Sequence, residues 1–308
     1  MTPEQKVLQD RLVKEGSGSD CYEFARDVPD ADIPALQARV LAVGDAKDCR
    51  AFAAKITGAD IKALQDRVLQ IGNGGDCYLF ACLVSGGDVN IPALQARVLE
   101  IGTGDDCYLF ANDIPGADIQ ALQKRVLEIG DGDDCFRFSY ICGADRTALQ
   151  SRILKIGSGH ICYPFARFVP GADIQALQAG VLKAGTGIDC FLFAKYVVGA
   201  NIPVLQSRVL EIGDGYACIL FAKEVPGADV TALQKRVLEV GSALDCHEFA
   251  QDVRGADIAA LQARVMEVGT QEECLVFAQD IPGADQDALA SRSRELEDEA
   301  SAASVPAP

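Results

Sequence analysis

Apolar residues along this chain fall three and four positions apart in short bursts, and each burst stops at a glycine or a Pro-Gly pair. Cys107, Phe110, Ala111 and Ile114 make one such stripe; Ile119, Leu122, Val126 and Ile129 make the next. Spacing of this kind predicts amphipathic helices with one buried face. The two stripes alternate through the sequence and define a repeating unit. Its cysteines stand at 21, 49, 77, 107, 135, 162, 190, 218, 246 and 274, so the spacing is 28 apart from one 30 and one 27. A phenylalanine follows three residues after each, from Phe24 to Phe277. A fixed period of this length is the mark of stacked helical or strand units.

The polar positions supply the punctuation. Five residues before each repeat cysteine stands a glycine, from Gly16 to Gly269, followed by Ser, Asp, Asn or Thr. A left-handed glycine ending one helix and a side-chain cap opening the next are the expected reading. Asp106 after Thr103 and Asp189 after Thr186 complete a capping-box pattern. The second helix stops at pairs such as Pro226-Gly227, and Asp229 is placed to cap the next first helix. Isolated helices this short are marginal in water, so they must stack. The expected fold is all-α, a right-handed α-solenoid of about ten two-helix repeats. Residues 1–298 read as a single repeat domain and 299–308 as a flexible tail.

This architecture resembles the HEAT-like and TPR-like helical-hairpin arrays, although 28 residues is shorter than either repeat. The unit from Cys107 to Gly130, CYLFANDIPGADIQALQKRVLEIG, looks like a repeat of phage, large-virus and bacterial proteins. That resemblance covers nearly the whole chain. It implies a short α-α repeat and brings no activity, substrate or functional residue with it.

Composition narrows the function. The 308 residues are 49% apolar and 24% charged, the mix of a folded chain. The sequence holds no apolar run of membrane-spanning length and opens on the polar MTPEQKVLQD, so a cytoplasmic address without membrane contact is expected. Lys plus Arg number 28 against 45 Asp plus Glu, a net charge of -17 that disfavours phosphate backbones and favours basic or neutral partners.

Candidate chemistry is sparse. Ten of the 12 cysteines occupy equivalent positions one repeat apart, too far for bridges, and read as core thiols. Cys82 and Cys142 fall outside the series and are candidate surface thiols. Neither His160 nor His247 has a metal-ligand spacing to nearby cysteines. Asp131-Gly132-Asp133-Asp134 begins like a calcium loop, but its twelfth position is Cys142, so helix capping explains it better. No catalytic constellation is found, and no enzyme activity, cofactor or metal is expected.

Two polar series run through the first helices. Gln37, Gln65, Gln95, Gln123, Gln150, Gln178, Gln206, Gln234 and Gln262 lie within the buried arc. Each is expected to bond a neighbouring repeat's backbone or glutamine. Two residues on stand Arg11, Arg39, Arg67, Arg97, Arg125, Arg152, Arg208, Arg236 and Arg264, read either as partners of adjacent capping aspartates or as a stripe for anions. Gly180 breaks that series and predicts a bend or a notch.

Positions two and six after the repeat cysteine vary most: they are acidic near both ends and apolar in the middle. Leu79, Leu83, Leu109, Phe168, Leu192, Tyr196 and Leu220 form the apolar strip, with Ile161, Ile188, Tyr216 and Leu244 in nearby loops. These side chains either fill grooves between helices or receive a partner. The leading expectation is a non-enzymatic scaffold for a protein or peptide with basic flanks. The alternatives are an acidic nucleic-acid mimic that blocks a nucleic-acid-binding protein and a direct nucleic-acid binder using the arginine stripe. The sequence leaves the oligomeric state open.

Overall fold

The computed structural model describes residues 1–86 and 88–303, with side chains through residue 299. Among these residues the chain forms 21 α-helices and no strand, paired as repeated hairpins: an α-solenoid. Two compact units divide it, Met1–Arg152 and Ile153–Pro308, with the boundary inside a helix. The first contains α1 (Pro3–Glu15), α2 (Gly18–Asp27), α3 (Ile33–Val43), α4 (Ala46–Lys55), α5 (Ile61–Ile71), α6 (Gly74–Leu83), α7 (Ile91–Ile101), α8 (Gly104–Asp113), α9 (Ile119–Ile129) and α10 (Gly132–Phe138). The boundary cuts α11 (Arg146–Ile156). The second contains α12 (Gly159–Phe168), α13 (Ile174–Ala184), α14 (Gly187–Tyr196), α15 (Ile202–Ile212), α16 (Gly215–Glu224), α17 (Val230–Val240), α18 (Ala243–Asp252), α19 (Ile258–Val268), α20 (Gln271–Asp280) and α21 (Gln286–Ala303). Residues 299–303 of the expected tail are thus helical, and 304–308 lie outside the described residues.

Odd-numbered helices carry the Leu-Gln stripe and even-numbered ones the Cys-Phe stripe. Their starts follow the caps read from sequence, except at α12, where Ser158 makes no side-chain cap bond. Asp118 accepts the Ala121 N–H at 3.0 Å, and Thr103 and Asp106 satisfy each other's backbone N–H. Cys107, Phe110, Leu122 and Val126 are fully buried, as are their counterparts in most repeats. Ile129 differs: its angle on the helix is right, but it is the last residue, where the packed layer ends, and it is 43% exposed.

Among the junction glycines only Gly157, with φ +77°, is left-handed as expected; the others are needed for a different reason. Gly102 has φ -70°, an extended conformation open to any residue, but a Cβ there would stand 2.5 Å from the Val98 carbonyl oxygen. Close approach, not backbone conformation, excludes a side chain. Gly157 apart, the left-handed glycines sit at the other turn, as at Gly116 with φ +80°.

Glutamine and arginine couple the repeats in opposite directions. Gln123 accepts the Asp145 N–H at 2.8 Å and donates to the Asp145 carbonyl at 3.0 Å; Gln206 treats Asp229 likewise at 2.9 and 3.2 Å. Each carboxamide therefore holds the residue that caps the next odd helix. The arginines reach back: Arg152 donates to the carbonyls of Glu128 and Gly130, and Arg236 to that of Glu211. They also pair within their own helix, as Arg97 does with Glu100 at 2.7 Å. The expected pairing with capping aspartates is not what forms, because the free carbonyls at the preceding helix end lie within reach. At Gly180 no bend appears: α13 is continuous, and a Cβ would come within 2.7 Å of Leu154 and 2.8 Å of the Cys162 sulfur. Those two side chains fill the notch.

Phe193→Ala is expected to cost about 3–5 kcal/mol of unfolding free energy in denaturant titration, since the ring is fully buried. Gln206→Leu keeps the volume and leaves both Asp229 backbone groups without their partner. Its expected cost is about 1–3 kcal/mol, and a loss below about 0.5 kcal/mol would show that the carboxamide does not couple the repeats.

Candidate functional site

Even helices present the variable positions, and the apolar strip is divided between the two units. In the first, Leu79 and Leu109 are half-buried between helices and Leu83 is exposed. In the second, Leu192 and Leu220 are half-buried while Phe168 and Tyr196 are exposed. Groove filling thus accounts for part of the strip, and Leu83, Phe168 and Tyr196 project to solvent.

The neighbours of these residues follow a rule that sequence spacing alone did not expose. A side chain one or five positions after a repeat cysteine reaches the residue six positions after the next one. The Tyr78 hydroxyl donates to Asp113 at 2.6 Å, Lys195 pairs with Glu224, Lys223 pairs with Asp252 at 2.7 Å and His247 lies 3.4 Å from Asp280. The hydrogen bond to Glu224 raises the Lys195 pKa, and that to Asp113 raises the Tyr78 pKa.

Between α12 and α14 the acceptor position holds Tyr196 instead of a carboxylate, and the contact changes character. The Arg167 guanidinium lies 4.2 Å from the Tyr196 ring centroid and 5.0 Å from that of Phe168, and donates to the Tyr163 hydroxyl at 3.0 Å. Tyr163 and Tyr196 are 5.9 Å apart, and Lys195 stands 4.8 Å from the Tyr196 ring. Cation–π contact orders the guanidinium without neutralising it. Among the described residues no carboxylate pairs with Arg167. The result is one face of α12, α14 and α16 where exposed aromatic rings, half-buried leucines and an unneutralised cation meet. Sequence reading found Phe168, Leu192, Tyr196 and Leu220 but missed Tyr163, Arg167 and Lys195. The available signal was the aromatic and basic bias one and five residues after the cysteines.

Other candidates resolve differently. Stripe arginines such as Arg97, Arg208 and Arg264 have side chains about a quarter exposed and pair with glutamates of their own helices, while their Nε atoms are buried without a hydrogen-bond partner, out of reach of a phosphate. No group of metal-ligating side chains gathers among the described residues. The four residues expected in loops lie instead in the first turns of α12, α14, α16 and α18, because these helices start from the cap residue right after the junction glycine; Ile161 is buried and Ile188 half-buried, while Tyr216 and Leu244 are exposed. Cys142 lines an open groove of about 500 Å³ with Tyr140 and Asp113. No helix among the described residues is long and apolar enough to cross a membrane. No protein-family model, curated protein or solved structure matches the chain.

The ten repeat thiols are buried and only Cys82 and Cys142 are exposed. Burial pushes Cys49, Cys77 and Cys190 up to about 11 and Cys107, Cys135 and Cys218 up to about 12, from 9.0. A thiol whose folded pKa is raised contributes its full stability below the unfolded value, and that contribution fades as pH climbs from 9 toward 11–12. Iodoacetamide at pH 9 should therefore add two groups per native chain and 12 per denatured chain, read by intact mass. More than two native adducts would place a repeat thiol outside the core.

Proposed function

We propose that the protein is a non-enzymatic scaffold that binds a protein or peptide on the face of α12, α14 and α16. The observation that carries this reading is the exposed pair Phe168 and Tyr196 around Arg167, whose charge no carboxylate offsets. Aromatic and arginine side chains of this kind dominate binding energy in protein interfaces, and a helical array offers an extended surface for them. An apolar segment covering Phe168, Tyr196 and the edges of Leu192 and Leu220 is the natural occupant. The chain's net charge of -17 favours basic residues flanking that segment. The likeness to HEAT and TPR arrays, at the level of architecture, supports an interaction role. Twelve unpaired cysteines suit a reducing compartment, which supports a cytoplasmic setting. The carbonyl- and glutamate-bound arginines weigh against direct nucleic-acid binding through the stripe.

The test is selection of displayed random peptides on the wild-type protein, followed by affinity measurement on a Phe168→Asp/Tyr196→Asp variant whose melting curve matches wild type. Selected peptides should share an apolar core and lose about tenfold or more in affinity on the variant. Peptides that bind both proteins equally, or no enrichment at all, would defeat the proposal.

A further inference from the structure

A second surface lies at the edge of the same unit, where odd helices end and even helices begin. Ile212, Val240 and Val268 are the last residues of α15, α17 and α19, and Tyr216 and Leu244 the second residues of α16 and α18. All five are between 38% and 58% exposed. Close approaches at these junctions stack them in file: a Cβ on Gly215 would stand 2.5 Å from the Asp245 carboxylate carbon, and one on Gly269 3.2 Å from the Ala243 Cβ. The five side chains therefore follow one another along a single edge. In the other unit the positions matching Tyr216 and Leu244 hold Ser19, Lys47, Gly75, Asp105 and Asp133, so the fold does not require an apolar residue there.

Beside each aliphatic stands an acid. Glu211, Glu239 and Glu267 precede Ile212, Val240 and Val268, and their side chains are 53–69% exposed although Arg208, Arg236 and Arg264 touch them from one side. The edge is thus an apolar row with a carboxylate border, on a chain of net charge -17. Two such chains repel, which disfavours a second copy as occupant. The spacing of the row selects the shape of the partner. Packed helices succeed one another every 8–10 Å or so, close to the roughly 10.5 Å rise of one helical heptad. Same-face residues of an extended strand recur at only about 6.6–7 Å.

We infer that this edge docks a basic amphipathic helix, its apolar stripe on Ile212, Tyr216, Val240, Leu244 and Val268 and its Lys or Arg residues facing Glu211, Glu239 and Glu267. The contact is separate from the face of α12, α14 and α16, so either can hold without the other.

The probe is a fluorescein-labelled three-heptad peptide of leucine and lysine with its leucines on one helical stripe. It is compared, at about 0.15 M salt, with a scrambled peptide of the same composition and with one carrying Glu in place of Lys. Fluorescence anisotropy should give wild-type binding in the range of about 1–10 μM for the striped basic peptide and at least about tenfold weaker binding for both controls. Tyr216→Glu/Leu244→Glu should cost at least about tenfold, and the milder Tyr216→Ser/Leu244→Ser serves if the first variant melts early. Phe168→Asp/Tyr196→Asp should leave the affinity unchanged. Equal binding of the scrambled peptide, or an edge variant that binds as wild type does, overturns the inference. Sedimentation showing a dimer that the edge substitutions dissolve would overturn it too and give the edge to a second copy.

Discussion

A carboxamide and a peptide unit carry the same pair of groups, one donor and one acceptor, and this match holds the repeats together. The serial glutamines of the odd helices, all buried but the half-buried Gln178, lie inside the packed arc, where an unbonded amide would be costly. Most bond both backbone groups of the residue that caps the next odd helix, as Gln37 does with Asp60 and Gln234 with Asp257, and Gln9, Gln178 and Gln262 accept its N–H alone. That residue's own side chain then opens its helix. One buried side chain thus sets the register between neighbours and fixes where the next helix starts. Helices of 10 or 11 residues, too short to persist alone, take their order from this joint and from the Cys, Phe, Leu and Val layers around it.

Much of this was open to reading because the chain states it many times over. The cysteine and phenylalanine series, the capping pairs and the buried glutamines each follow from local chemistry that a repeat forces into contact with itself. What escaped reading depends on which atoms meet. Gly102 looks like a left-handed glycine until the distance to the Val98 carbonyl shows a backbone too close for a methyl group, and among its counterparts only Gly157 is left-handed. Arginine's partner could not be ranked between a capping aspartate and a helix-end carbonyl by spacing, since both lie within the reach of its side chain. Ile129 shares the helical angle of Leu122 but stands where the layer stops, and an angle carries no information about ends.

The candidate face was half readable. Variation at the second and sixth positions pointed to Phe168 and Tyr196, whereas the cations that give the face its character, Arg167 and Lys195, stand one residue before them, on positions whose role appears only when successive even helices lie side by side. Arg167 illustrates the point. Its sequence neighbours suggest a solvated charge, and only the stacking of α12 against α14 places it on the Tyr196 ring. A surface made jointly by side chains from different repeats has no contiguous signature in the chain.

The glutamine joint tolerates changes in the spacing it spans. It links residues 23 apart in the regular unit, 25 apart from Gln65 to Asn90 across the long one, and 22 apart from Gln123 to Asp145 across the short one. The extra residues swell the loop before α7, and the missing one shortens α10 to seven residues, while the bonded pair stays in place. Every repeat also carries both halves of the joint, a cap to be held and an amide to hold the next. Unequal crossing-over between such units would leave a chain whose ends still fit, so the number of hairpins, and with it the span of surface on offer, can drift in inheritance without a new folding problem having to be solved each time.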